Sequence, residues 1–354
     1  NNDDGDATAS LTNAGVMGLS ATANANGLNT TAATPGADAL ANAVAEELFS
    51  QDVTADDEGS AIATAVNSGT MFASAVANAV ADDIAIANAA ASLGSQNVDA
   101  FDDNDHQALA AFSNSGSVNV NAQANASGGD SSVLGSFANA EAEGFSQDVD
   151  ADLVFDPSGS ATASFNNSGE FIVNADATAT NLGFALANAT VDFGISQNAQ
   201  ADNDSAVASL VNDALIDLSA GADANGSDLA IANAVIDTGI YQYASVVTAT
   251  TPDAVASMVN NGTMAMSVGA AANAANTTGV AIANAIIDAG VYQEANGSTV
   301  TLNNTGSLSI VADATATGGG FAVANAFIDA VDQNAFGTTA SVNFTNTGSV
   351  LVDG

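Results

Sequence analysis

The stretch Val280-Ala281-Ile282-Ala283-Asn284-Ala285-Ile286-Ile287-Asp288-Ala289-Gly290-Val291-Tyr292-Gln293 decides the fold. Its first half alternates at every second residue. On an extended chain Ile282, Asn284 and Ile286 fall on one side, and Ala281, Ala283, Ala285 and Ile287 on the other. Both sides are apolar apart from one amide, as in strands of parallel sheets covered on both faces. Alanine by itself favours helix. Strict alternation, frequent glycine and interspersed Thr and Val decide for strand.

The segment recurs. Ala-Asn-Ala centred on Asn42, Asn88, Asn139, Asn188, Asn233, Asn284 and Asn325 is followed by Gln51, Gln96, Gln147, Gln197, Gln242, Gln293 and Gln333, always 8 or 9 residues on. A second anchor, Asn-x-Gly, ends at Gly15, Gly69, Gly116, Gly169, Gly262, Gly306 and Gly348, with Ala214 filling the gap. Successive third positions differ by 54, 47, 53, 45, 48, 44 and 42. A constant spacing inside a variable one marks a rigid element between adjustable corners. The chain therefore reads as one repeat domain, 1–354, with units at approximately 13–66, 67–113, 114–166, 167–211, 212–259, 260–303 and 304–345 and partial coils at both ends.

Each repeat carries two further period-2 segments. One follows the turn glycine, with a large apolar residue two positions on (Met71, Val118, Phe171) and then alanines such as Ala175 and Ala177. The other precedes the next turn and reads Ala-x-Ala-x-large, as in Ala161-Thr162-Ala163-Ser164-Phe165. Three strands per repeat in fixed order predict an all-β fold, a parallel β-solenoid (β-helix) with one coil per repeat. Strands stack about 4.8 Å apart, so seven coils make a rod about 34 Å long, or about twice that if each repeat winds twice. Alanine at so many inward positions predicts a narrow interior. Stacked copies of one amide can hydrogen-bond up the column as a ladder. The middle-strand Asn stands between large apolar neighbours, where a lone buried amide would cost about 1–3 kcal/mol, so the Asn and Gln rows are expected to be ladders. The turn glycine is expected to supply positive φ, and the turn Asn to cap its own turn.

Composition narrows the function. The chain has no Lys or Arg, 40 Asp plus Glu, one His and no Cys, for a formal charge of −40, yet 47% of it is apolar. Disorder needs high charge with low hydrophobicity, which does not fit. Nucleic-acid binding requires cations on the protein to displace counterions, and an anionic membrane surface would repel this chain. Ion pairs between Lys or Arg and carboxylates, disulfides and thiolate metal sites are excluded. No apolar run is long enough for a membrane-spanning helix.

Acidic clusters gather after the Gln of each unit: Asp56, Asp57 and Glu58; Asp102, Asp103 and Asp105; Asp148 and Asp150. Two readings stand, a solvated acidic face or a calcium site built from carboxylate oxygens of stacked corners. No segment has the EF-hand loop pattern. His106, the only histidine, lies in one of these acidic runs, and nothing repeats or positions a nucleophile beside it. The expectation is that the chain is not an enzyme and needs no cofactor other than calcium.

The chain begins in a third-strand pattern with Ala7, Ala9 and Leu11 and ends in a first-strand pattern with Val350 and Val352. Bare terminal coils expose strand edges that pair with other chains, and a head-to-tail contact that does not close makes a filament. The other reading is a window cut from a longer repeat protein. If the Ala face of the middle strand lines the interior, its Ile-Asn-Ile face is an external apolar stripe suited to lateral packing.

With the Asn-x-Gly turns, the Ala-Asn-Ala strands and corners such as Gly239-Ile240-Tyr241-Gln242, the chain resembles bacterial secreted β-solenoid proteins, namely adhesins, autotransporter passenger domains and related Ala/Asn/Gly/Thr-rich repeat proteins. The resemblance covers essentially the whole chain and implies an extracellular or cell-surface location and a structural role. The first functional expectation is a subunit of an extracellular filament or biofilm-matrix fibre whose partners are copies of itself. The alternatives are the stalk or passenger segment of an adhesin, stabilised by calcium, and a polysaccharide-active β-helix enzyme.

Overall fold

The computed structural model describes residues 6–27, 37–56, 59–101, 106–129, 135–152, 159–202, 204–247, 253–337 and 340–354. One coil shows the plan. Its first strand is Glu170–Thr180, its middle strand Phe184–Ala201 and its third strand Ser205–Asn212. Each pairs, parallel and in register, with the equivalent strand of the next repeat: Phe171 with Ile216, Asn188 with Asn233, Leu210 with Met258. The chain makes one turn per repeat. Like strands collect into three parallel sheets, of eight, nine and eight strands. This is a parallel β-solenoid with three strands per repeat.

The middle strand runs 17 or 18 residues in most coils because it continues past a corner to the Gln. The corner explains why the Asn-to-Gln spacing is 8 in some repeats and 9 in others. Where a coil with spacing 8 stacks on one with spacing 9, the register shifts between Ala142 and Phe145. The extra residue bulges at the bend, as bulges do where a strand must change direction, and both anchors stay aligned.

The interior has two compartments. The larger lies between the first-strand sheet and the front half of the middle strand. It is lined by alanines along the strands and closed at its wide end by Phe112, Phe145, Phe165 and Phe171 and, in later coils, by Leu210, Ile240 and Met264. Phe112 stacks on Phe165 at 5.2 Å between centroids and packs tilted on Phe145 at 4.7 Å, contacts worth about 0.5–1.5 kcal/mol each beyond area burial. The smaller compartment holds Ala and Val only, such as Val98, Ala163 and Ala199, between the back half of the middle strand and the third strand. The Gln row stands between the two. Gln147 Nε2 donates across the interior to the Ser164 carbonyl at 3.0 Å, and Gln197 to that of Ser209 at 2.9 Å.

One expectation fails at the turns. Among the described residues only Gly94 and Gly337 are glycines with positive φ, so the Asn-x-Gly glycines do not serve that purpose. They are required by the approach of one coil to the next. A Cβ on Gly169 would lie 2.0 Å from the Gly116 carbonyl oxygen, and one on Gly116 would lie 2.0 Å from that of Gly69. The exception supports this reading. Ala214 occupies the turn position and carries a Cβ, and Leu215 N reaches the Gly169 carbonyl only at 3.2 Å. The equivalent bond from Glu170 to Gly116 is 2.9 Å.

Candidate functional site

In this molecule the candidate site is distributed: amide ladders, the terminal strands of the column and two outward acidic faces. The Gln ladder runs through the interior. Each Gln Nε2 donates to the Oε1 of the preceding coil, from Gln96 to Gln51 through Gln333 to Gln293, at 2.6–2.9 Å. Gln96, Gln197, Gln242 and Gln293 are fully buried.

The middle-strand Asn row also forms a ladder, from Asn88 donating to Asn42 through Asn325 donating to Asn284, at 2.7–2.8 Å. Its environment corrects the expectation of a buried amide. The Ala face of the strand points in, and these Asn side chains stand on the outer face, exposed or half-exposed. The reason is volume. Only alanine lets the middle and first-strand walls approach, so the larger Ile-Asn-Ile set goes outside.

A third ladder is one that reasoning from a single turn misses. Asn13, Asn67, Asn114, Asn167, Asn212, Asn260 and Asn304 each donate to the Asn of the next coil at 2.8–2.9 Å, the row ending on Asn346. Asn13, Asn67, Asn114, Asn167 and Asn212 also cap their own turns, as where Asn67 Oδ1 accepts from Gly69 N at 3.3 Å. From Asn67 to Asn304 the row is buried. Its eightfold recurrence was the available signal, the same one that marks the other two rows. This ladder donates toward later coils and the Gln ladder toward earlier ones, so the column is polar in both.

The two ends of the column differ. Ala7 is buried, Ala9 and Leu11 are half-buried, and the inward alanines 39–45 are at most 5% exposed. In the last coil Phe344, Val350 and Val352 are 50%, 40% and 50% exposed, whereas their register partners Leu302, Leu308 and Ile310 are at most 1% exposed. Ala322, Ala324 and Ala326, inward in every other coil, are exposed as well.

Of the residues proposed for calcium, Asp57, Glu58, Asp102, Asp103 and Asp105 lie outside the described residues, as do the side chains of Asp56 and His106. Asp148 and Asp150 lie on the outer face of the back half of the middle strand, in rows with Asp52 and Asp99. Burial and the nearby Asp148 and Asp52 charges raise the Asp99 carboxyl above its ordinary value. The same face carries all three tyrosines. Tyr241 and Tyr292 stack at 5.4 Å and 4°, and Tyr292 donates to Glu294, which pushes its pKa up to about 12.

A different acidic group comes together at the corner: Glu141, Glu143 and Asp192 bring carboxylate oxygens within 4.8 Å of one another. Burial, then the Asp192 charge, raises the pKa of Glu141 and of Glu143. Three carboxylates supply part of the oxygen set a calcium ion takes. These residues come from different repeats, and alignment on the Asn anchors would have found two of them, since Glu143 and Asp192 each sit four positions after their Asn.

Compared with known families, curated proteins and solved structures, the chain matches none.

Proposed function

We propose that the protein is a structural subunit of an extracellular filament or matrix fibre, with the last coil of one copy seated on the first coil of the next. The carrying observation is the unbroken repetition of the column: like strands stack parallel and in register through three sheets, so every coil offers its neighbour the same apolar cross-section. Apolar surface of this shape gains most from a further coil of the same outline, and the first coil of another copy has it. The ladders support the polarity. The Gln333 Oε1 acceptor points out of one end, and at the other Gln51 Nε2, which also bonds the Thr64 carbonyl, is the donor that would meet it. Head-to-tail contact pairs donor with acceptor, while head-to-head contact pairs like with like.

The extracellular location rests on the resemblance to secreted solenoids. The test is negative-stain microscopy with light scattering across a concentration series, with and without a calcium chelator. Fibres of uniform width that lengthen with concentration are expected. Short rods that never elongate would overturn the reading and favour the adhesin stalk. The control is Val342→Pro. Ser341 N bonds the preceding coil at Ser298, and strand N–H groups alternate sides in a parallel ladder. The Val342 N–H therefore faces outward, and its loss blocks elongation while leaving the coil's own bonds in place.

A further inference from the structure

The outer face of the middle-strand sheet has no role inside the column. Its rows run up all seven coils: Ile86, Phe137, Leu186, Ile231 and Ile282 in one, the Asn ladder in the next, and Val235 and Ile286 within a third. Leu40 and Phe327, at its two ends, are 58% and 55% exposed. The three rows together with the apolar border beside them, two residues apart, and seven rungs cover roughly 20 Å by 29 Å, or about 600 Å². That is at the top of what monomers leave exposed and near the roughly 800 Å² per partner of a stable interface. In a chain of charge −40 this face carries a single carboxylate among its central rows, Glu141. One border is acidic in six of seven coils: Glu46, Glu143, Asp192, Asp237, Asp288 and Asp329. The opposite border is largely apolar, with Phe184, Leu229, Val280 and Phe321.

We propose that two copies pair through this face, side by side and pointing the same way, about a two-fold axis parallel to the column. A second copy is the occupant the surface fits, because apolar and amide rows repeating at every rung match another stack of strands rung for rung, as in dry zippers between paired sheets. The acidic border selects the axis. A two-fold axis along the strands would lay the acidic row of one copy on the acidic row of the other, and nothing in the chain offsets that repulsion. An axis along the column sends the two acidic rows to opposite edges, each beside the other copy's apolar border. It also places every residue of the central row opposite itself, and it preserves column polarity, so pairs can elongate. The pairing does not depend on end-to-end stacking: it sets the width of a particle, and stacking sets its length.

The test uses the full chain. Mass by sedimentation velocity is expected to be an even multiple of the monomer and to fall to odd and even multiples alike in Ile231→Glu/Ile282→Glu, whose side chains point outward and leave the interior intact. The chain has no cysteine, so single cysteines report geometry cleanly. In the otherwise unaltered protein Asn88→Cys alone is expected to cross-link to a dimer with a short bismaleimide, and Asn284→Cys alone likewise. Cross-linking only in a mixture of the two would mean the opposite axis and overturn the arrangement. No cross-link, with mass unchanged by the double substitution, would overturn the pairing itself. Fibres of single width would defeat the pairing and leave end-to-end stacking standing.

Discussion

The Asn ladder on the outside of the middle strand and the Gln ladder inside it are built from the same amide chemistry on the same strands, at nearly the same hydrogen-bond lengths. They differ in what lies around them. In a single, unpaired column water can replace a lost partner for Asn188. It cannot reach Gln197, which separates two apolar compartments and is 0% exposed. An amide ladder is therefore not intrinsically strong. It becomes indispensable where the alternative is an unsatisfied group in a dry interior.

Substitution sharpens the contrast. Gln197→Leu keeps most of the volume but leaves the Gln147 Oε1 and one Gln242 N–H without partners and takes a donor from the Ser209 carbonyl. Two orphaned groups at about 1–3 kcal/mol each should lower stability by roughly 3 kcal/mol or more, read by thermal or urea unfolding. Asn167→Ala, in the buried turn ladder, should behave like the Gln variant. It loses bonds to Asn212 and to the Leu215 carbonyl and the bond received from Asn114. Gly169→Ala comes next, at the upper end of the about 1–3 kcal/mol typical of overpacking, because its Cβ meets a carbonyl of the coil before. Ala214→Gly should change little, since relief of that contact opposes the glycine's backbone cost of about 0.5–1 kcal/mol. If both turn variants cost the same, the close-approach account of the turn is wrong. Asn188→Leu, on the outer face between apolar rows, should shift stability by less than about 1 kcal/mol. An effect as large as that of Gln197→Leu would erase the distinction between the ladders.

The smallest effect is a pH dependence of the outer acidic groups. Glu141, Glu143, Asp99 and Asp237 all have raised pKa values in the fold, first from burial and then from neighbouring carboxylates. Between their ordinary and raised values the folded state binds more protons than the unfolded one, so stability rises as pH falls through that window and levels off below the ordinary values. A melting temperature higher at about pH 5 than at pH 7, both chosen relative to ordinary carboxylate values near 4, checks the sign. A fall over that range would contradict it.

Much of this architecture could be read from the chain, because a repeat states its own register. The three strands and the alignment of Asn on Asn and Gln on Gln follow from spacing alone; spacing leaves one or two windings per repeat open, and the pairing of each strand with its equivalent in the next repeat fixes one. Which face of the middle strand points inward did not follow with the same force, since alternation defines two faces without ranking them. Ala281 and Ile282 are both apolar, and only the width of the interior chooses between them. The turn glycines were misread for a related reason. Positive φ is a property of one turn, whereas the contact of Gly169 with Gly116 exists only between turns. The Glu141, Glu143 and Asp192 group lies within no single repeat and emerges only when repeats are stacked.

Side-chain amide hydrogen exchange, followed by NMR on the assigned Asn and Gln carboxamides, tests the central claim most directly. In the Ile231→Glu/Ile282→Glu variant, whose outer face is open to water, the carboxamide protons of Gln96, Gln147, Gln197, Gln242 and Gln293 should persist long after those of Asn88, Asn139, Asn188, Asn233 and Asn284 have exchanged. Exchange of both sets at one common rate would contradict a column with one ladder sealed inside it and the other on its surface.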